Sequence, residues 1–251
     1  MTLTEFFAQN PRCALAFSGG VDSAYLFYAA VTAGADVRAY YLSGPFQPAF
    51  EKADALRLAD QLGAELTVLT YPTLDIPGVA ENPADRCCLC KRAMFTALRD
   101  RAAGDGYDLI IDGTNASDRA EDRPGMRALR EIGVRSPLRE CGLTKADVRR
   151  LSREAGLFTW DKPAYSCLAT RVAAGERITG ETLQKIERAE SALFALGFSD
   201  LRVRVSGSTA KLQLIAPQLP RALALREKIV DALTPDFSSV TLDLIPREES
   251  L

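Results

Sequence analysis

Residues 17–24 read FSGGVDSA, between two apolar runs, RCALAF at 12–17 and AYLFYAAV at 24–31. A short apolar run that ends in glycines reads as a strand buried on both faces, and the longer run after it as a helix. A strand that passes through Ser-Gly-Gly into a helix opens a parallel, helix-covered sheet. The rest of the N-terminal part repeats the pattern. VRAYYL at 37–42, ELTVLT at 65–70 and DLIIDG at 108–113 read as strands, with helices near 48–62 and 91–103 between them. Thr144 and Asp147 form a capping-box signature that opens a helix to about 155.

Beyond residue 160 the pattern changes. One amphipathic helix spans 179–196, with Thr179 as N-cap and Leu183, Ile186, Ala189, Leu193 and Leu196 as its apolar stripe. LRVRV, KLQLI, a helix near 218–233 and SVTLDLI follow. The expected fold is therefore α/β, a parallel sheet with helices on both faces, followed by a smaller α+β module. The boundary falls in WDKPAYSC, giving domains at 1–160 and 161–251.

In such a sheet, ligands collect at the carboxyl ends of the strands. Gly19 and Gly20 let the backbone approach a ligand closely. Successive N–H groups form a nest, and the helix beginning near Asp22 aims its positive end at the same spot. Ser18 and Ser23 add hydroxyl donors. This is a polyphosphate cradle, although a plain β–α turn with a Ser/Asp cap uses the same residues. Asp22 repels phosphate unless it orients a donor or holds Mg²⁺, which suggests a metal–nucleotide complex.

Composition narrows the chemistry. The 251 residues carry a net charge of −2 and no histidine. The first fact argues against a nucleic-acid substrate. The second removes the commonest general base and the commonest nitrogen ligand for metals. No apolar run has the length of a membrane span, and MTLTEFFAQNPR lacks a signal pattern, so a cytoplasmic protein is expected. Three of the six cysteines crowd into NPADRCCLCKRAMF at 82–95. Clustered thiols in the cytoplasm point to metal or redox chemistry. Cys87 and Cys90 have C-x-x-C spacing, and Lys91 and Arg92 favour thiolate. On spacing alone, a zinc knuckle and an iron–sulfur ligand pair both remain open.

SGGVDS directly after a first strand resembles the PP-loop of the adenine-nucleotide α-hydrolase superfamily, and differs from both Walker A and G-x-G-x-x-G loops. The resemblance implies ATP cleaved between its α and β phosphates, giving an adenylated substrate and pyrophosphate. It also places Ser43 and Thr114 near the nucleotide, with Ser18, Gly19, Gly20, Asp22 and Ser23. DRCxxCK, DGTNASDRAEDRPGMRAL, GVRSPL and DKPAYSCLATR, in that order, resemble the LarE family of ATP-dependent sulfur transferases over about residues 10–205.

That resemblance implies a small mononucleotide substrate, pyridinium-3,5-biscarboxylic acid mononucleotide. One carboxylate is adenylated and converted to a thiocarboxylate on the way to a nickel-pincer cofactor. The family uses either a sacrificed cysteine or a [4Fe–4S] cluster held by three. Cys167 matches the cysteine common to both strategies. Cys87 and Cys90 match the additional pair, which implies the cluster type, and CCLC leaves Cys87 or Cys88 as the partner of Cys90. Cys13 and Cys141 read as packing residues. Arg202 and Arg204 share one face of LRVRV. By pattern they fit a solvated strand face; by resemblance they grip the substrate phosphate, with Arg171 as a further site residue. Glu190 sits on the inward stripe of its helix, where an unpaired carboxylate is costly; a role beside Cys167 or an arginine accounts for it, and so does a simple salt bridge. The family implies a homo-oligomer. The chain departs from the family pattern near its end, at AKLQL and IPREESL. The rival readings are a tRNA thiolase and a non-catalytic nucleotide-binding iron–sulfur sensor.

Overall fold

Alternation along RCALAF decides what packs on each side of the first strand. Cys13, Leu15 and Phe17 enter one apolar layer with Phe6, Leu26, Phe27 and Tyr41. Ala14 and Ala16 enter the other, with Tyr40, Leu98, Ala102 and Ile110. The computed structural model describes residues 1–118 and 124–248, those at 124–127 by their backbone only. Residues 119–123 of the DGTNASDRAEDRPGMRAL motif and the last three residues of the chain lie outside the described residues.

The chain divides into two units, Met1–Ile76 with Asp85–Lys162, and Pro77–Ala84 with Pro163–Leu251. The first unit runs α1 (Leu3–Gln9), β1 (Arg12–Phe17), α2 (Val21–Thr32), β2 (Asp36–Ser43), α3 (Ala49–Leu62) and β3 (Leu66–Thr70). It continues with α4 (Arg86–Gly104), β4 (Ile110–Asp112), α5 (Pro124–Ile132), α6 (Pro137–Glu140) and α7 (Lys145–Glu154). The strands are parallel in the order β3–β2–β1–β4, with Phe17 opposite Tyr41, Tyr41 opposite Val68 and Leu15 opposite Ile111. The chain winds outward from β1 to β3 and then returns to the other side of β1. The carboxyl ends of β1 and β4 thus flank the point where winding direction reverses, which is where open α/β sheets bind ligands.

Local signals end the elements as expected. Gly63 closes α3 in the left-handed conformation at φ 58°. Thr144 and Asp147 form the capping box of α7. One expectation is corrected. The helix expected to begin near 91 begins at Arg86, so CCLC is helical and not a loop knuckle. Nothing from Arg86 to Ala103 is glycine or proline, and Pro83 lies just ahead of the start.

The second unit holds α8 (Gly180–Ala195), β5 (Arg202–Ser206), β6 (Thr209–Gln213), α9 (Leu219–Ala224), α10 (Arg226–Leu233) and β7 (Ser239–Leu242). β5 and β6 pair antiparallel, β6 and β7 parallel. Thr179 caps α8, accepting from the Thr182 N–H at 3.1 Å. Leu183, Ile186, Ala189 and Leu193 are buried along it. The expected single helix near 218–233 breaks at Leu225 into α9 and α10. Pro77–Ala84 belongs here through backbone pairing: Ile178 N–H donates to Ala80 O at 2.7 Å, and Gly175 N–H to Asn82 O at 2.9 Å. Asn82 takes a left-handed φ of 56° and donates through Nδ2 to Ala173 O at 2.8 Å. Among the described residues, no helix is long and apolar enough to cross a membrane.

Gly113, just after β4, sits where the backbone of the first unit is crowded. A β-carbon there would stand 2.7 Å from Ser23 N and 3.0 Å from its Cα. Gly113→Ala is expected to lower unfolding free energy by about 1–3 kcal/mol. Gly104→Ala, in open space at the end of α4, is expected to be neutral or stabilising by about 0.5 kcal/mol. Urea denaturation of both variants checks the contrast.

Candidate functional site

β1 delivers the chain into Ser18–Gly20, and α2 starts directly after it. Gly19 has φ +79°, and a β-carbon there would stand 3.2 Å from Glu51 O. Its conformation favours glycine, and the room for a side chain is tight. Gly20 caps α2 without a side-chain bond, so the turn closes through the serines instead. Ser23 Oγ donates to Gly20 O at 3.1 Å, lies 3.0 Å from Ser18 Oγ and accepts from Ser18 N–H at 3.3 Å. The helix N-terminus, with its positive dipole end, begins at this turn.

Ser43 and Thr114 stand at the same edge, at the carboxyl ends of β2 and β4. Ser43 O accepts from Tyr71 N–H at 2.8 Å, tying the exits of β2 and β3 together. Thr114 is fixed by the buried Asp112, which accepts from its Oγ1 at 2.7 Å and from Ser136 Oγ at 2.7 Å. Asp22, in the first turn of α2, has both oxygens engaged. Oδ2 pairs with Lys145 Nζ at 2.6 Å, and Oδ1 accepts from Asn115 Nδ2 at 3.2 Å. Asp22 thus orients a cation and an amide donor beside the loop. Lys162 Nζ pairs with Asp54 Oδ2 at 2.6 Å and donates to Gly19 O at 3.2 Å.

In the second unit a buried ion pair organises the segment around Cys167. Arg171 and Glu190 side chains are 0% and 2% exposed, and they pair bidentately: Nε to Oε1 at 2.9 Å, Nη2 to Oε2 at 3.1 Å. Glu190 also accepts from Val203 N–H at 2.8 Å and from the Tyr165 hydroxyl. Arg171 Nη1 donates to Ser166 O at 2.8 Å, Thr170 Oγ1 at 2.9 Å and Cys167 O at 3.3 Å. The pair therefore grips the turn that presents Cys167. Burial, then the Glu190 charge, raises the Tyr165 phenol far above its usual value. Arg202 is buried and donates to Leu201 O and Ala164 O, both at 2.6 Å. Burial, then Arg171 and Arg247, lowers its pKa to about 10. Arg204 is exposed and donates to Gln213 Oε1 at 2.9 Å and to Thr170 O.

No cysteine is in a disulfide. Cys87 is exposed, Cys88 buried, and Cys90 and Cys167 half-buried. Cys87 and Cys90, three apart on α4, share a helix face. They belong to the first unit and Cys167 to the second. Among the described residues, no group of three or more His, Cys, Asp or Glu side chains is gathered as a metal site. Burial pushes the Cys13 thiol up to about 12 and raises Cys141, and both pack against the apolar layer that holds Leu15.

No family model matches the chain. It is 36% identical, over 96% of its length and 92% of the relative, to an uncharacterised protein of Synechocystis. It is 32% identical, over 97% of its length and 89% of the relative, to the pyridinium-3,5-bisthiocarboxylic acid mononucleotide synthase of Lactiplantibacillus plantarum. The chain belongs to the LarE family. A tRNA-specific 2-thiouridylase of Frankia alni is 31% identical over 61% of the chain and 53% of that protein, which places the LarE chain among PP-loop relatives.

Within this LarE chain, Ser18, Gly19, Gly20, Asp22 and Ser23 lie together, and Ser43 and Thr114 share their edge of the sheet. Glu190 does meet an arginine. Arg171 departs from the expectation that it grips phosphate: its guanidinium is spent inside the protein, on Glu190 and on the turn at Cys167. Arg202 and Arg204 differ in the same way, since only Arg204 stands exposed. Lys145, Lys162, Asn115, Asp54 and Asp112 escaped the sequence reading. Asn115 and Lys162 lie inside quoted motifs, but their partners are 93 and 108 residues away, so spacing carried no signal.

Breaking the buried pair has a calculable cost. Glu190→Ala leaves Arg171 as an uncompensated buried cation and is expected to cost about 3–5 kcal/mol in urea unfolding. The Tyr165 phenol, raised in the folded state, contributes stability that is intact below the unfolded phenol value of about 10 and declines above it. Tyr165→Phe is therefore expected to flatten the alkaline fall in melting temperature.

Proposed function

We propose that the chain is an ATP-dependent sulfurtransferase that forms AMP and pyrophosphate. It adenylates a carboxylate of pyridinium-3,5-biscarboxylic acid mononucleotide and converts it to a thiocarboxylate, in the cytoplasm, toward a nickel-pincer cofactor. The observation that carries this reading is a polyphosphate cradle, at the switch point of the sheet, in a chain similar along nearly its whole length to a relative named for that product.

A carboxylate is a poor acyl donor, and adenylation supplies a leaving group. The N–H groups at the start of α2, with Ser18 and Ser23, stabilise the charge that develops on the departing pyrophosphate. Ser43 and Thr114 contact the nucleotide from neighbouring strand ends. ATP arrives with Mg²⁺, and Asp22 serves by holding Lys145 and Asn115. Sulfur attack needs no histidine, since a thiolate or sulfide is already deprotonated.

The thiol chemistry of the cysteines supports a three-thiolate ligand set. Cys87 and Cys90 share one face of α4, and the burial of Cys88 beside the exposed Cys87 supports Cys87 as the partner of Cys90. With Cys167 they would hold a [4Fe–4S] cluster, which when bound supplies an open iron for the sulfur to be transferred. Arg171 and Glu190 position Cys167, and Arg204, with Arg202 behind it, takes the substrate phosphate. Exposed Leu244 and Ile245 supply apolar surface for a homo-oligomer.

ATP–pyrophosphate exchange tests the reading. It is expected to require the pyridinium biscarboxylate mononucleotide and to ignore total tRNA. Ser18→Ala or Asp22→Ala should slow it about tenfold or more at unchanged melting temperature. Exchange that responds only to tRNA identifies a thiolase; none under any condition leaves a sensor.

Iron tests the sulfur route. Protein prepared without oxygen is expected to be brown, with about four irons per chain. Cys87→Ser, Cys90→Ser and Cys167→Ser should bleach it, and Cys88→Ser should not. A mass loss of one H₂S at Cys167 after turnover would replace the cluster with a sacrificed cysteine.

A further inference from the structure

We infer that Lys162 is a further residue of the phosphate cradle, binding the pyrophosphate end of the nucleotide and fixed for that task by Asp54. The inference rests on the ATP reading above and adds a residue to it.

Lys162 is the last residue of the first unit. Its backbone is held tightly: its N–H donates to Thr159 O at 3.1 Å, and Arg149 donates to Trp160 O at 2.7 Å and Lys162 O at 3.0 Å. Its side chain is 14% exposed, an unusual burial for lysine. The ammonium is aimed by two acceptors, Asp54 Oδ2 at 2.6 Å on α3 and Gly19 O at 3.2 Å in the loop itself, and it lies 5.4 Å from the Phe50 ring. An ammonium has three N–H donors. Two are committed, and the third remains for an oxygen that enters the loop.

A salt bridge built only for stability has no need of Gly19. That glycine sits in a left-handed conformation against Glu51 O, so its carbonyl cannot turn away cheaply. Lys162 is therefore locked to the cradle. The edge also needs positive charge, because Asp22, Asp54 and Asp112 place three carboxylates around a site built for an anion. Lys145 offsets Asp22 on the side of β4, and Lys162 offsets Asp54 on the side of α3. The two lysines bracket the loop. Lysine, a compact point charge on a flexible stem, suits a phosphate oxygen that changes position when the α–β bond breaks.

Calorimetric titration of the full chain with an α,β-methylene ATP analogue, with inorganic pyrophosphate and with AMP tests this. Lys162→Met is expected to weaken the analogue and pyrophosphate about tenfold to a hundredfold and to leave AMP binding unchanged. Lys162→Arg should restore most of the loss, and Lys52→Met, on an exposed position of α3, should change nothing. Lys162→Gln, which keeps a stem and an N–H for Gly19, should give the same split if the Met variant folds poorly. Wild-type affinity for all three ligands in both neutral variants, or an AMP loss as large as the ATP-analogue loss, overturns the inference. A wild-type chain that binds no ATP analogue overturns the ATP reading instead.

Discussion

Backbone crowding at the junction of β1, α2 and β4 governs the first unit. Gly113 brings the exit of β4 against the backbone of Ser23, and Gly19 brings the loop against the carbonyl of Glu51. A side chain at Gly113 would force the backbone apart, and one at Gly19 would be strained by its left-handed φ. Together they hold the N-terminus of α2 between the exit of β4 and the first turn of α3, and a helix end of this kind, with unpaired N–H groups, suits an anion. The alanines of β1 serve the same end from below. Ala14 and Ala16 let α4 settle close to the sheet, and the start of that helix carries the cysteine pair at the same edge.

The second unit depends on a different economy of charge. Arg171 and Glu190 are buried together, and such a pair stabilises little relative to apolar residues of equal volume. Its value lies in what else the two groups hold. Glu190 engages the backbone of β5 and the hydroxyl of Tyr165, and Arg171 engages acceptors on Ser166, Cys167 and Thr170. One carboxylate on α8 thereby connects the helix, the strand and the cysteine turn. A leucine at 190 would pack as well and would orient nothing.

Much of this was legible in the sequence, for identifiable reasons. The strands of the first unit follow from apolar runs bounded by turn residues, and α7 and α8 from capping signatures whose donor and acceptor are local. SGGVDS was legible because glycine at a left-handed position and serine at a helix start leave type and spacing in the string itself. Glu190 was legible as a charge out of place on an apolar stripe. Other features were not. The start of α4 at Arg86 was hidden by reading CCLC as a ligand knuckle rather than as glycine-free helix. Pro77–Ala84 joins the second unit through backbone hydrogen bonds, which carry no residue signature. The spent guanidinium of Arg171 depends on tertiary burial, so an arginine close to Cys167 in sequence looked available when it is not.

The absence of histidine becomes intelligible at this point. Adenylation followed by sulfur attack asks for stabilised anions more than for proton transfer. The residues gathered at the sheet edge are of that kind: helix N–H groups, hydroxyls locked by Asp112 and by each other, and two lysines each held on a carboxylate. Pairing keeps the edge from repelling itself, since Lys145 and Lys162 would otherwise crowd one helix end with uncompensated cations. It also keeps Asp22 and Asp54 from repelling phosphate. An edge whose charges are balanced in this way holds its donors in place, and preorganisation of that kind is what makes electrostatic stabilisation effective.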